Sequence, residues 1–208
     1  MGCERIVNSP SREPQQDRSR ITRERLLASV VDILADHGWA AATVARVAEE
    51  AGVSRGAAQH HFPTREALIT AALEQMFTDL TTLAASEPGE DFPPGHERIR
   101  YVVERAVDIY VGPNFRAALQ VWAAAASDGA LRERILPLEA KFARAAHAMT
   151  LAGIDPDGTN PNAHRLVQAT LDLARGLGLA GTLSDDSRRR AQVVGTWAEQ
   201  LTAALGRD

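Results

Sequence analysis

The 208-residue sequence contains a single cysteine, Cys3, and a single lysine, Lys141, and only 5% of its residues are aromatic. One cysteine cannot close an internal disulfide, so the sequence is consistent with a reducing compartment. No apolar run approaches the roughly 20 residues of a membrane-spanning helix, and the N-terminal stretch lacks the apolar segment of a secretory signal. We therefore expect a soluble cytoplasmic protein.

No strong charge imbalance marks the chain as a whole, because 23 basic residues stand against 27 acidic ones. A nucleic-acid surface would therefore have to be a local patch. Residues 1–65 carry nine arginines against eight acidic side chains, and the rest of the chain carries 14 basic against 19 acidic. This polarity has the sign expected of an N-terminal DNA-binding region, although it is small.

Signatures of enzyme and metal sites are also missing. The sequence has no G-x-S-x-G nucleophile motif and no glycine loop that follows a strand to bind phosphate. Its glycine-rich stretch GLGLAG, residues 176–181, lies within an apolar helical pattern, where small side chains allow helices to approach closely. The adjacent His60 and His61 would point about 100° apart on a helix and could not easily chelate one ion. We expect no catalytic residue, no metal and no cofactor.

Strand signals are nearly absent, and apolar residues recur at intervals of three and four, which predicts an all-α protein. Residues 1–19, rich in Pro, Ser, Gln and Arg, are expected to form a flexible arm. Arg12, Arg18, Arg20 and Arg23 either solubilise this end of the chain or reach the DNA minor groove or backbone. Helices are predicted over residues 22–37, 44–51, 55–61, 65–85, about 96–111, 114–127, 130–151, 163–183 and 187–205, with a break at Gly112-Pro113, a kink or break at Pro137 and Ser184 as an N-cap.

The stretch GVSRGAAQHHFPTREAL, residues 52–68, follows one short predicted helix and contains another. Gly52 supplies the left-handed backbone of the tight turn between them, and Thr43 and Ser54 are good N-caps. This is the helix-turn-helix plan, whose second helix enters the major groove of DNA. The positions that can face inward are Val44, Val47, Ala48, Val53, Ala58 and Phe62, and those left facing outward are Arg55, Gly56, Ala57, Gln59 and His60.

Residues 22–73 resemble the DNA-binding domain of the TetR family of bacterial transcriptional regulators. The resemblance rests on helix spacing, Gly38, Thr43, the AGVSRG turn, the HF pair that follows and the REAL start of the next helix. Gln59 departs from the family's usual tyrosine, which commonly contacts the DNA backbone, whereas Arg65 keeps the charge of the usual lysine. Gln59 could reach a phosphate or pair with an adenine edge.

The resemblance implies an N-terminal three-helix helix-turn-helix domain, joined by a long fourth helix to a C-terminal helical domain that binds ligand and dimerises. The expected boundaries are residues 1–19 for the arm, 20–80 for the DNA-binding domain with its helix-turn-helix at 43–62, and 81–208 for the C-terminal domain. The DNA-binding residues expected are Thr43, Arg46, Ser54, Arg55, Gly56, Ala57, Gln59, His60, His61, Thr64 and Arg65. The residues expected to line a ligand pocket are Tyr110, Phe115, Trp122, Phe142, His147 and Met149.

The last two predicted helices are the most apolar pair away from the DNA-binding region. Two helices from each of two subunits would form a symmetric four-helix bundle. The expected dimer interface consists of Leu166, Leu173, Leu177 and Ala180 on the first helix and Val194, Trp197 and Leu201 on the second.

The resulting hypothesis is a transcriptional regulator that acts as a homodimer on a pseudo-palindromic, double-stranded DNA operator. We expect a repressor that an unknown small-molecule effector releases. Two alternatives stay open at this point. One is an activator or a ligand-independent regulator of the same fold, and the other is a helical protein–protein interaction module that no longer reads DNA.

Overall fold

The computed structural model describes residues 13–85, 92–93 and 96–206, and the regular elements in these ranges are helical. The all-α prediction is therefore confirmed. The elements are α1 (Glu13–His37), a 3-10 turn (Trp39–Ala41), α2 (Val44–Glu50), α3 (Arg55–His61), α4 (Arg65–Ala85), α5 (His96–Asp108), α6 (Gly112–Ser127), α7 (Gly129–Ile154), α8 (Ala163–Ala180) and α9 (Ser187–Ala204).

Helix α1 begins earlier than the sequence predicted, because residues 13–19 belong to the helix and not to a flexible arm. Pro14 stands in the first turn, where a missing N–H costs little. Further along, Arg20 pairs with Glu24 at 2.8 Å, one helical turn away. An i,i+4 pair of this kind supports an exposed helix by a few tenths of a kcal/mol. The rest of the expected arm, residues 1–12 with Arg12, lies outside the described residues.

The N-terminal helices enclose a small apolar core. Helix α1 contributes its predicted stripe, α2 and α3 cross beneath it, and the first turns of α4 close it. Its buried side chains include Leu26, Val30, Leu34, Val47, Ala58, Phe62 and Leu68. Among the described residues, this packing leaves the opposite face of α3 exposed.

Pro113 and Pro137 both lie inside helices, and of the kink or break predicted at Pro137 the break does not occur. Pro137 lies inside a continuous α7, with its exposed ring on the outer surface. The carbonyl that loses its helical partner belongs to the exposed Glu133, so water can satisfy it without a break. Pro113 stands in the first turn of α6, which begins at Gly112 with φ of 83°. The sequence had placed both residues in a break before the helix.

The ends of the last two helices also differ. Helix α8 ends at Ala180, three residues before the predicted end, and Asp186 holds the N-cap position of α9 in place of Ser184. Residues between them form turns held by the main chain, with the N–H of Thr182 bonded to the carbonyl of Leu179 at 3.2 Å. A short connection of this kind sets the two helices beside each other at one end.

The C-terminal helices surround α5, which packs against α7, α8 and α9. Helix α4 crosses to α7, and α6 lies along α1, so both α4 and α6 connect the N-terminal core to the rest of the molecule. Within the described ranges, no helix combines the length and apolarity that crossing a membrane would require.

Gly178 permits the closest helix approach in this part of the structure. A Cβ atom at this position would overlap the carbonyl oxygen of Tyr110 and lie 2.8 Å from Cε1 of Phe115. At Gly176, two residues earlier on the exposed side of α8, a Cβ would meet no atom within 4 Å. The expected role of the GLGLAG stretch in close helix packing is confirmed at Gly178, which brings α8 onto the α5–α6 turn.

We predict that Gly178→Ala destabilises the fold, while Gly176→Ala does not. The first change forces backbone atoms apart, and overpacking of this kind costs about 1–3 kcal/mol. The second removes backbone freedom at an exposed helical position and should stabilise by up to about 1 kcal/mol. Urea unfolding followed by circular dichroism measures both, and equal midpoints for the two variants would contradict the packing described here.

Candidate nucleic-acid interface

Three exposed hydroxyl residues cap the helices of the N-terminal core. Thr43 Oγ1 accepts the N–H of Arg46 at 3.2 Å, Ser54 Oγ accepts the N–H of Ala57 at 3.2 Å, and Thr64 Oγ1 accepts the N–H of Ala67 at 3.1 Å. The caps predicted from the sequence are thus confirmed. Each hydroxyl still carries a proton that it can donate, and a helix N-terminus favours an anion such as phosphate.

The turn between α2 and α3 is held by its backbone. Gly52 has φ of 65°, a left-handed conformation that favours glycine. The N–H of Val53 then donates to the carbonyl of Ala48 at 2.9 Å, and the Val53 side chain packs against the core. The turn therefore fixes the angle at which α3 leaves α2.

Helix α3 presents one face to solvent and one to the core. Ala58 and the capping residue Phe62 are buried, whereas Arg55, Gln59 and His60 are exposed. Gly56 is also exposed, and Ala57 is half-buried. Arg55 and Gln59 are one helical turn apart, so they share a face. A guanidinium and a carboxamide on one face are the side chains that read guanine and adenine edges in the major groove.

The two adjacent histidines at the end of α3 differ in their exposure to solvent. His60 is exposed, and the half-buried His61 has its ring centroid 5.7 Å from that of His60 and 6.3 Å from that of Phe62. The His61 ring thus lies between the exposed face and the core. In the described part of the chain, no group of three His, Cys, Asp or Glu side chains is placed to hold a metal ion.

Arg65 does not lie where the sequence placed it. Its guanidinium stacks over the Trp39 ring, 4.2 Å from the centroid, and its Nη2 donates to the Trp39 carbonyl. The side chain is half-buried against its own protein, so the structure contradicts a free phosphate contact. Arg46, by contrast, is exposed. The role of Trp39 was not predicted from the sequence. Its one local signal is its position directly after Gly38, at the end of α1.

Helix α6 meets the N-terminal core beside the same tryptophan. Arg116 pairs with Asp36 of α1 at 3.0 Å, and Gln120 Oε1 accepts the N–H of Trp39 at 3.4 Å. Both side chains of α6 therefore contact residues at the end of α1, close to the start of the helix-turn-helix. A displacement of α6 would therefore act on the end of α1 that precedes the helix-turn-helix.

Four of the six residues expected in a ligand pocket come together in the C-terminal part. Phe115 makes edge contacts with Tyr110 and Trp122 at 5.4 and 6.0 Å between centroids, and Tyr110 contacts Phe142 at 6.1 Å. Phe77 of α4, which the sequence analysis did not select, stacks on Phe142 at 5.1 Å. The cavity beside Phe77, Phe115 and Phe142 measures only about 10 Å³, so these rings fill the space.

The other two expected pocket residues lie elsewhere. His147 follows Phe142 by five residues, and its ring stacks on His164 of α8 with 5.2 Å between centroids. Met149 follows Phe142 by seven residues, a rise of about 10 Å along α7. The structure therefore places the His147 ring against α8 and not in the aromatic cluster, and Met149 lies two turns further along α7 than Phe142.

The predicted dimer residues fall into two groups. Leu177, Val194 and Leu201 are buried within their own chain, where α8 and α9 pack on α5, so their assignment to a subunit interface is wrong. Leu166, Leu173, Ala180 and Trp197 are half-buried, and Trp197 Nε1 donates to Thr170 Oγ1 at 3.0 Å. More exposed apolar residues on α8 and the turn after it, not selected from the sequence, are Ala169, Gly176, Leu179 and Leu183, the last with 92% of its surface accessible.

The chain is similar to known proteins along its length. Residues 26–72 match the family model described as bacterial regulatory proteins, tetR family. HTH-type transcriptional regulator CymR of Pseudomonas putida is 33% identical over 127 residues, which cover 61% of this chain and 62% of CymR, less than two thirds of that protein. HTH-type transcriptional regulator BetI 2 of Chromohalobacter salexigens is 27% identical over 201 residues, which cover 93% of this chain and 94% of BetI 2.

Solved structures share the fold. A transcriptional regulator from Rhodococcus sp. Rha1 has a TM-score of 0.63 at 26% identity, over 88% of this chain and 94% of that one. A regulator from Saccharomonospora viridis, solved in complex with choline, has a TM-score of 0.63 at 19% identity, over 85% and 95% of the two chains. The capped helix-turn-helix with an exposed second helix, together with these similarities, defines a DNA-binding transcriptional regulator. The helix-turn-helix region, residues 26–72, is that of bacterial regulatory proteins of the tetR family, and the chain is similar over most of its length to HTH-type transcriptional regulators.

We predict that Arg55→Ala and Gln59→Ala each weaken specific DNA binding by about ten- to a hundredfold, since one base contact is worth about 1–3 kcal/mol. Fluorescence anisotropy with labelled DNA from the flank of the protein's own gene measures the affinity. Arg134→Ala on the exposed surface of α7 is the matched control and should leave it unchanged. Unaltered affinity in both α3 variants would show that this face does not read bases.

Proposed function

We propose that the protein is a repressor that binds a pseudo-palindromic operator as a homodimer and is released by a small-molecule effector. The observation that carries the proposal is the exposed face of α3 with Arg55 and Gln59, on a core that α6 ties to the C-terminal helices. Expression of the gene next to the operator, measured with and without the regulator, distinguishes a repressor from an activator. The setting would be the cytoplasm, where the DNA is.

DNA recognition is assigned to two sets of side chains. Arg55, Gln59 and His60 enter the major groove. Gly56 and Ala57 have small side chains, which allow the backbone of α3 to approach the bases and phosphates closely. Thr43, Arg46, Ser54 and Thr64 hold phosphates from the flanking helix ends. In a dimer, two such surfaces would lie roughly 35 Å apart to match one turn of DNA.

The dimer surface is assigned to the outer edges of α8 and α9. Leu166, Leu173 and Ala180 recur along α8 at seven-residue intervals and remain half-buried in the single chain, as Trp197 of α9 does. A two-fold symmetric interface would cover an apolar stripe of this kind, which is only partly buried in the single chain. An obligate interface of this type buries about 2,000 Å² or more.

Effector response is assigned to α6. This helix carries Phe115 and Trp122 toward the aromatic cluster, and its Arg116 and Gln120 contact the end of α1. A ligand that binds beside the aromatic rings more tightly in one position of α6 would shift the population toward that position. The spacing of the two DNA-binding surfaces would then misfit the operator. The choline complex of the Saccharomonospora neighbour supports a small organic molecule as the kind of effector.

Salt-dependent DNA binding tests the proposed function against a protein–protein module. Binding to DNA from the flank of its own gene should weaken steeply as salt rises, because phosphate contacts release counterions. A duplex in which one half-site of the palindrome is scrambled is the control and should bind at least tenfold more weakly. Equal affinity for unrelated DNA at all salt concentrations would contradict sequence-specific regulation.

We predict that Leu166→Arg combined with Leu173→Arg converts the dimer to a monomer. The symmetry brings the new charges close to their own copies, and burying unpaired charges is costly. Both leucines are half-buried in the single chain, so the fold should survive. Light scattering at micromolar concentration reads the mass.

The control is Leu136→Arg combined with Ala140→Arg, which places two charges one helical turn apart on the exposed side of α7. This variant should remain dimeric. A dimeric Leu166/Leu173 variant would move the interface away from α8.

A further inference from the structure

A cavity of about 180 Å³ lies where the α5–α6 turn meets the end of α8 and the start of α9. We call it the Arg190 cavity. Its lining includes two arginines, Arg116 and Arg190, two aromatic residues, Tyr110 and Phe115, and Gly181. Among the described residues, those that line the cavity include no acidic side chain. Since a cavity of about 150 Å³ accommodates benzene, this one has room for a small organic molecule.

Arg190 brings a positive charge to the wall of this cavity. A Cβ atom at Gly181 would lie 3.5 Å from Arg190 Nη1, which places the guanidinium itself beside a wall residue that has no side chain. The side chain of Arg190 forms no hydrogen bond and no ion pair with any described residue. The exposed carboxylates of Asp108 and Asp185 lie within electrostatic reach, but they do not line the cavity, and water screens them. The guanidinium is therefore free to bind a ligand.

Arg116 lines the same cavity from the first turns of α6. Its Nη2 forms an ion pair with Asp36 of α1 at 3.0 Å, and the two side chains are 39% and 60% exposed. Ion pairs exposed to this extent are weak, because water screens both charges. A guanidinium has several N–H donors, so an anion in the cavity can compete with Asp36 for Arg116. Arg116 thus connects the cavity to the end of α1.

The charge and the shape of the Arg190 cavity favour an anion that carries an apolar group. Two arginines without an acidic neighbour in the lining attract negative charge, and a guanidinium binds a carboxylate through two parallel hydrogen bonds. Tyr110 and Phe115 supply buried rings, which contact each other edge to face with 5.4 Å between centroids. A bare inorganic ion would leave the apolar part of the wall uncovered. Both arginines would repel a cation, and a neutral molecule would leave Arg190 without a counter-charge.

We propose that the effector is a small carboxylate with a compact apolar body, bound in the Arg190 cavity between Arg190 and Arg116. The inference rests on the proposed effector response. The bound carboxylate draws Arg116 away from Asp36 and so weakens the ion pair that ties α6 to the end of α1. Its apolar body lies against Phe115, whose ring contacts Trp122 further along α6. Binding therefore favours a displaced position of α6, as a population shift requires.

Five probes test the ligand class: benzoate, isobutyrate, benzyl alcohol, benzylammonium and inorganic phosphate. NMR titration of the isotope-labelled full chain gives each Kd. The two carboxylates should each bind about tenfold more tightly than the other three probes, or better. If benzyl alcohol or benzylammonium binds as tightly, the charge assignment is overturned. Equal binding of phosphate would show a site for bare anions and overturn the apolar body, and the absence of carboxylate binding overturns the whole proposal.

Two variants test the site itself. Arg190→Met removes the charge and keeps most of the apolar stem, so benzoate should bind about tenfold more weakly. Arg188→Met, at an exposed position of the same helix, is the matched control and should bind benzoate as the wild type does. Gly181→Leu fills the cavity from the end of α8 and should abolish binding. Wild-type benzoate affinity in Arg190→Met, or in Gly181→Leu if only that variant folds, would overturn the assignment.

The competition for Arg116 is tested at Asp36. Asp36→Asn removes the competing carboxylate, so benzoate should bind several-fold more tightly than it binds the wild type. Asp32→Asn, which removes an exposed charge one turn earlier on α1, is the control for net charge and should leave the affinity unchanged. Equal benzoate affinity of the wild type and Asp36→Asn would contradict the connection between the cavity and α1.

The operator assay separates this proposal from the proposed function. If the wild-type protein binds its operator but no carboxylate binds, the ligand class is wrong and the DNA-binding role stands. If specific DNA binding is not found, the proposed function fails, while the Kd values of the probes still test the site. If the carboxylates bind in the expected order and lower operator affinity, the effector assignment is supported. Carboxylate binding that leaves operator affinity unchanged would contradict it.

Discussion

The stack of Arg65 on Trp39 joins three helices at one point. The ring and carbonyl of Trp39 hold the first residue of α4, while its N–H donates to Gln120 of α6. A half-buried cation–π contact is worth about 1–2 kcal/mol, more than an exposed ion pair. Because Trp39 follows α1 and precedes the helix-turn-helix, this contact sets how the DNA-binding helices sit on the rest of the molecule.

The two faces of α6 have different chemistry. One carries Phe115 and Trp122 among closely packed rings, and the other carries Arg116 and Gln120, which make polar contacts with the end of α1. Packed rings resist small displacements, since interiors are dense and gaps are costly. In the proposed effector response, a ligand beside these rings would therefore move α6 as a unit, and Arg116 and Gln120 would carry that movement to the end of α1.

The residues that lie away from their predicted places share a physical feature: local sequence does not specify which distant element packs on them. Leu177 and Leu201 were assigned to a partner subunit. An apolar helix face has the same sequence pattern whether it packs on a helix of its own chain or on a second copy of the protein. His147 was grouped with Phe142 because it follows closely in sequence, yet its ring stacks on His164 of α8, while Met149 lies two turns beyond Phe142 along α7.

What the sequence determined by itself is local. Caps at Thr43, Ser54 and Thr64, the left-handed turn at Gly52 and the periodic apolar stripes depend on contacts within a few residues, so the helix-turn-helix and its exposed face could be read directly. Tertiary structure alone decided which stripes cover each other, that Arg65 stacks on Trp39 instead of facing solvent, and that the aromatic rings fill the space between them. Those outcomes depend on contacts between residues far apart in the chain, which no local pattern encodes.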